Sequence, residues 1–163
     1  MESKNPLIRD PDENYIKIHC VTMNCAGQVP SSLEELVPLF LPHEPSPKPN
    51  IYIVGLQEIV KLNAKNIFKK DKKKVELWTT MLNQTIMRIN KQSHDSLSEM
   101  EKFEQEYVFI DKSMVGCYIC VFVQRNLTSR IKTKSFQICK VKTGNYGTTG
   151  NKGAVCIRFQ IDD

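Results

Sequence analysis

Apolar positions are spaced in three ways along this chain, and each spacing predicts a different element. In residues 50–64, N-I-Y-I-V-G-L-Q-E-I-V-K-L-N-A, the positions Ile51, Tyr52, Ile53, Val54 and Leu56 are almost unbroken in apolarity. That pattern fits a strand covered on both faces, and residues 115–123, V-G-C-Y-I-C-V-F-V, repeat it. Alternation marks a second kind of strand: residues 15–22 put Ile16, Ile18 and Cys20 on one face, and residues 131–141 turn lysines outward. Shorter runs at 107–110 and 154–159 predict two further strands. The spacing is helical only once at length. Val75, Trp78, Met81, Leu82, Thr85, Ile86 and Ile89 form a single apolar stripe, which predicts a helix over residues 75–89 with that stripe against a core.

Breakers divide these elements. Ser31 or Ser32 caps a short helix over residues 33–37, and prolines at 42, 45, 47 and 49 make residues 41–49 an extended loop. Residues 1–14 are a polar leader, residues 90–100 are a polar loop or a continuation of the helix, and residues 15–163 are read as one domain. Strands outnumber helices in the second half. The expected fold is therefore α+β, a layered α/β arrangement in which a mixed sheet carries helices on one face.

Composition narrows the setting. At 163 residues, with 40% hydrophobic and 25% charged residues, the chain has the balance of a soluble globular domain. No apolar stretch approaches the roughly 20 residues needed to cross a bilayer, and the polar start lacks a signal-peptide core. A cytoplasmic protein is expected. Cys20, Cys25, Cys117, Cys120, Cys139 and Cys156 sit mostly in apolar strand-like runs, which reads as reduced core cysteines rather than a disulfide framework. Cys117 and Cys120 form a C-x-x-C whose side chains point to opposite faces of a strand, so they do not make a zinc site.

The formal charge of +5 implies anionic partners, among which nucleic acid, an acidic membrane surface and a phosphorylated small molecule all stay open. Lys65, Lys69, Lys70, Lys72, Lys73 and Lys74 concentrate part of that charge. They fit a solvated face or a contact with anionic lipid.

Three positions carry candidate chemistry. Glu58 ends the long apolar run, where a carboxylate is costly unless it meets a cation, donors or water. It reads as a ligand on rigid scaffolding, or as a strand-end glutamate that reaches solvent. Asn24 stands just beyond the first strand, before a sharp exit at Gly27. His19 has no second ligand at metal-binding spacing and reads as a half-buried neutral side chain. Residues 143–153, T-G-N-Y-G-T-T-G-N-K-G, place Gly144, Gly147, Gly150 and Gly153 at every third position, with Asn151 and Lys152 among them. Such a loop can cradle a phosphate or can be a plain hairpin, and it departs from the Walker pattern because it runs into a strand.

Taken together, Thr22-Met23-Asn24, the block at residues 51–64 and T-G-x-x-G-x-x-G-N-K-G-A-V at residues 143–155 resemble the inositol polyphosphate 5-phosphatase family. The resemblance runs over residues 15–159. It implies a DNase I-like sandwich with flanking helices, and magnesium-dependent removal of the 5-phosphate from phosphoinositide lipids or soluble inositol polyphosphates. By position it implies that Glu58 binds magnesium and that Asn24 hydrogen-bonds near the metal and the scissile phosphate. It implies that Asn151 and Lys152 contact a second ring phosphate, and that Tyr146 contacts the membrane interface. Relatives often carry apolar residues where Asn145, Thr148 and Thr149 stand, and a tryptophan where Met23 stands.

The family's later motifs, a histidine strand, an Asp-x-Asn turn and a closing Ser-Asp-His, do not occur before Asp163. The expectation is the first half of such a domain, inactive until a C-terminal segment completes it, with peripheral association to an anionic membrane left open. Two other readings compete with this one. One is a non-catalytic fragment that binds phosphoinositide or protein. The other is a DNase I-like nuclease, disfavoured by the N-K-G-A-V stretch and by few aromatics beside basic residues.

Overall fold

The apolar run at residues 51–57 needs cover on both sides, and the fold supplies it by placing that strand inside a sheet. In a computed structural model that describes residues 15–41, 48–61, 72–90, 106–144, 146 and 149–162, β1 (Ile18–Asn24) pairs in parallel with β2 (Ile51–Gln57). The other edge of β2 pairs antiparallel with β4 (Cys117–Gln124), which pairs in turn with β3 (Tyr107–Met114). The order β1-β2-β4-β3 makes a mixed four-stranded sheet. A separate hairpin joins β5 (Gln137–Gly144) to β6 (Thr149–Arg158). The leader, most of the proline loop, the lysines at 65, 69 and 70 and residues 91–100 lie outside the described residues.

Each sheet face has its own core. One face presents Tyr52, Val54, Leu56, Tyr118, Cys120 and Phe122 to the helices, and all six are buried. The stripe read from the sequence arrives there intact: Val75, Trp78, Met81, Leu82, Thr85 and Ile86 are the buried residues of α2 (Lys72–Ile89). The helix begins one turn before the predicted residue 75, so Lys72, Lys73 and Lys74 are helical. The opposite face presents Ile51, Val121 and Val123, packed with Leu127 and with Ile157, Phe159 and Ile161 at the end of the chain. The hairpin lies over the β3–β4 half of this face.

At the β1 edge the same face lacks cover from the described residues. Ile18 is 52% exposed, and Cys20 is exposed beside it. Of the apolar face read from Ile16, Ile18 and Cys20, Ile16 packs against the second core while Ile18 and Cys20 are exposed, and His19, Val21 and Met23 point toward the helices.

Three further readings need correction. The helix at 33–37 is a single 3-10 turn at Leu33–Glu35 followed by α1 (Val37–Phe40), and the Ser32 side chain makes no cap bond. Instead the Glu35 carboxylate accepts from both the Ser31 N–H (3.0 Å) and the Ser31 hydroxyl (2.5 Å), a local side-chain loop that competes with regular helix. Residues 131–141 are not one strand. A 3-10 turn at Thr133–Ser135 splits them, with Ile131 bridged to Ile161 and β5 starting at Gln137. The cysteines divide: Cys25 and Cys120 are buried, Cys117 is intermediate, and Cys20, Cys139 and Cys156 are exposed. The exposed three sit on sheet faces that no described element covers, so apolar strand context did not make them core.

Candidate functional site

Parallel pairing brings the ends of β1 and β2 together, and the register sets Asn24 beside Gln57 with Glu58 as the next residue. The two chains then leave the sheet as a locked pair. The Cys25 N–H donates to the Gln57 carbonyl at 2.8 Å, and the Gly27 N–H donates to the Glu58 carbonyl at 2.6 Å. On the far side, the Ile59 N–H donates to the carbonyl of Gly116 in the β3–β4 turn at 3.1 Å. Three bonds to two other segments therefore fix the backbone at Glu58.

That fixing is needed because Glu58 has φ of 50°, in the left-handed region. A side chain there costs on the order of 1 kcal/mol, and such conformations persist where the surroundings over-determine them. The result aims an exposed carboxylate at the rim of the sheet. Asn24 meets it there: its Nδ2 donates to Glu58 Oε1 at 3.1 Å, while its Oδ1 accepts from the Ala26 N–H at 2.9 Å. The second bond settles which end of the amide faces the carboxylate. Gln57 is occupied elsewhere, donating to the Thr22 hydroxyl at 3.0 Å.

The loop after Asn24 depends on the glycine already read as its exit and on one lysine of the charge cluster. Gly27 has φ of +71°, and a Cβ there would lie 2.8 Å from the Lys61 backbone nitrogen. Lys74, read only as part of a charge cluster, donates from Nζ to the Gly27 carbonyl. A glycine in a turn was visible in the sequence; nothing local marked one lysine among six as the one that reaches back. Beneath them, burial pushes the Cys25 thiol up to about 11, with Lys74 pulling it down and Glu58 adding to the rise. Burial thus favours the neutral thiol over the more nucleophilic thiolate at Cys25.

Asn151 and Lys152 lie on β6 rather than in an open loop, since strand structure runs to Gly144 and resumes at Thr149. They stand at the same end of the molecule as Glu58. Across the sheet Asn24, Gln57, Cys117 and Met114 form one row, and the Met114 methyl sits 3.0 Å from where a Cβ on Gly153 would be. No hydrogen bond or ion pair among the described residues joins Lys152 to Glu58, and the Lys152 side chain is exposed. Tyr146 is in a turn, fully exposed, with φ of 54°. Residues 145, 147 and 148 lie outside the described residues, as do the side chains of Thr149 and Asn151.

Of the glycines in this stretch, Gly153 carries a demonstrable requirement. Its φ is +142°, and a Cβ would fall 1.9 Å from the Val141 carbonyl oxygen. Gly153→Ala is expected to destabilise by about 1–3 kcal/mol and to speed amide exchange across β5 and β6, measured by hydrogen–deuterium exchange. Unchanged protection in the hairpin would contradict the assigned close approach.

His19 is half-buried, as read. Its Nε2–H donates to the Leu39 carbonyl at 2.9 Å and its ring packs against Phe40 and Tyr52, so it is structural. Among the described residues no group of three or more His, Cys, Asp or Glu is gathered, and no helix is long and apolar enough to cross a membrane. One exposed carboxylate with an amide beside it suits a hard cation such as magnesium, which keeps several waters and is held by one or two carboxylates plus substrate phosphate.

Comparison with known proteins gives a consistent set. A family model described as Endonuclease/Exonuclease/phosphatase family 2 matches residues 21–163. The chain is 33% identical over 156 residues to type IV inositol polyphosphate 5-phosphatase 9 of Arabidopsis thaliana, covering 92% of this chain and 36% of that protein. It is 29% identical over 171 residues to a probable inositol polyphosphate 5-phosphatase of Schizosaccharomyces pombe, covering 91% and 13%. With synaptojanin-1 of Homo sapiens it shares 34% over 111 residues, covering 68% and 6%. Among solved structures it matches the inositol polyphosphate 5-phosphatase domain of SPsynaptojanin, in complex with inositol (1,4)-bisphosphate and calcium ion. That match has a TM-score of 0.62 at 26% identity, covering 90% of this chain and 36% of that one. The chain thus spans about a third or less of the length of these relatives.

Proposed function

The chain belongs to the endonuclease/exonuclease/phosphatase family 2, and from that premise we propose that it contributes to a magnesium-dependent phosphatase site acting on the 5-phosphate of inositol polyphosphates or phosphoinositides. The observation that carries the reading is the Asn24–Glu58 pair, bonded at 3.1 Å at the ends of adjacent parallel strands on a strained, triply anchored backbone. Relatives named as inositol polyphosphate 5-phosphatases, and a layered structure of the DNase I-like kind shared with a 5-phosphatase domain, support it.

In this reading Glu58 holds the magnesium ion, whose contribution when bound is to neutralise phosphoryl oxygens where charge develops. Asn24 orients the carboxylate by donating to Oε1, and the backbone bonds that the Gly27 N–H donates and the Gly116 carbonyl accepts keep the turn from relaxing. Lys152, exposed at the same end of the sandwich, is the cation for a second ring phosphate, with Asn151 as its neighbour on β6. Tyr146, exposed on the turn between β5 and β6, is the side chain placed to meet a lipid interface. The acting protein is cytoplasmic and meets the membrane peripherally.

With Glu58 committed to the metal in this reading, the base that orients water comes from elsewhere, and the β1 half of one sheet face is uncovered by the described residues. We infer that a C-terminal segment supplies both, covering Ile18 and Cys20 as it does so. The test is phosphate release by the longer protein from 5-phosphorylated inositol phosphates, free and in vesicles, with and without chelator. Release that needs magnesium and spares inositol 1-phosphate is expected, and none is expected from the 163-residue chain alone. No release by the longer protein from any 5-phosphorylated substrate would sink the reading.

A further inference from the structure

The outer face of the β5–β6 hairpin holds two thiols in direct register. Cys139 and Cys156 are Cα partners, flanked on the same face by the pairs Gln137/Arg158 and Val141/Ala154. Both are exposed and neither is in a disulfide. Residues directly opposite in an antiparallel pair have Cα atoms about 4.5 or 5.5 Å apart, and side chains on the same face. Disulfides span Cα separations of about 4.4–6.8 Å, so either kind of pair suits one. The neighbour Ala154 is small and exposed, which leaves the sulfurs approachable.

We propose that Cys139 and Cys156 form a redox-responsive dithiol that a peroxide closes into a cross-strand disulfide. One thiolate sulfur attacks a peroxide oxygen, breaking the O–O bond and giving a sulfenic acid with release of water. The second thiol then attacks that sulfur, forming the S–S bond and releasing a second water. In balance, two thiols and one hydrogen peroxide give one disulfide and two waters, with two electrons passing from sulfur to peroxide. The ring so closed contains residues 140–155, and therefore both Asn151 and Lys152.

The consequence follows from how weakly β5 is otherwise specified, since of the two strands it is β6 that packs on the second core, through Ile157. Residues 137–143 of β5 are exposed, and the pairing shifts between Lys142 and Gly144. Register is set firmly only where one face is buried. A covalent bond at the 139–156 pair holds β6 in place against β5, and with it the strand that carries Lys152. The proposal concerns thiol chemistry on this hairpin and does not depend on the phosphatase reading.

The experiment treats the reduced 163-residue chain with hydrogen peroxide, then blocks remaining thiols and maps disulfides by peptide mass spectrometry. The expected product is a monomer lighter by about 2 Da whose dominant bridge joins Cys139 to Cys156 and reopens with dithiothreitol. Amide exchange in β5 and β6 is expected to slow by roughly tenfold on oxidation. C139S and C156S each abolish the bridge, whereas C20S leaves it intact. The same treatment in guanidinium should give mixed pairings, which shows that the fold selects the bridge. A folded sample that gives a Cys20 bridge, intermolecular dimers, over-oxidised thiols or the same mixture as the denatured one overturns the proposal.

Discussion

Glu58→Gln in the longer protein is expected to lower magnesium-dependent phosphate release by about a thousandfold, the equivalent of several kcal/mol of lost electrostatic stabilisation. The substitution is nearly isosteric, and a glutamine Oε1 can still accept the bond that Asn24 Nδ2 makes to the carboxylate. The backbone anchors from Gly27 and Gly116 do not involve the side chain. Because the carboxylate is exposed, its loss leaves no buried partner stranded, and the melting temperature should stay within about 2 °C.

Only the charge changes, so only what needs the charge should fail. The magnesium concentration giving half-maximal activity should rise with it. Asn24→Ala is expected to cost less, about 10- to 100-fold, since that residue orients the ligand rather than holding the ion. Equal activity of E58Q and the parent across a magnesium titration would return Glu58 to the status of a strand-end glutamate that happens to reach water.

The pairing of these two residues shows where sequence suffices and where it stops. That β1 and β2 are strands followed from apolar spacing, and that α2 packs on a core followed from its stripe. Their adjacency in space did not follow from that spacing, because parallel pairing of distant strands leaves no local mark; only the family resemblance implied it. The left-handed backbone at Glu58 was equally hidden: the residue is not glycine, and the strain is set by contacts with Gly27 and Gly116 that are distant in sequence.

The shared face of β1 was read correctly, but its exposure was hidden for a related reason. Ile18 and Cys20 look like core by type, yet they occupy an edge strand where the described residues provide no cover. At Thr133–Ser135 alternation held in the sequence while the backbone turned, since polar side chains there bond locally. Ser135 donates from its hydroxyl to the Lys132 carbonyl at 2.6 Å and accepts from the Gln160 N–H at 2.8 Å. Local hydrogen bonding of this kind competes with a strand ladder.

Trp78→Ala is expected to destabilise the chain by about 3–5 kcal/mol, the cost of emptying a large aromatic site in a core that cannot close around the void. Trp78 is 1% exposed and belongs to the cluster formed by Tyr52, Leu56, Leu82 and Tyr118, where α2 meets the middle strands of the sheet. Domains of ordinary size have only about 5–15 kcal/mol to lose. A chain with one sheet face partly uncovered sits toward the lower end of that range, so W78A should be largely unfolded at room temperature. Trp78→Phe separates the causes. The indole Nε1 has no hydrogen-bond partner among the described residues. Replacing it therefore breaks no bond, and most of the ring volume is kept. A loss of about 1–2 kcal/mol is expected for W78F. Urea titration followed by far-ultraviolet circular dichroism reads both variants without relying on the tryptophan that they remove. If W78A unfolds at the same urea concentration as the parent, the helix is not held to the sheet by this side chain, and the assignment of the α2 stripe as the main core contact is wrong.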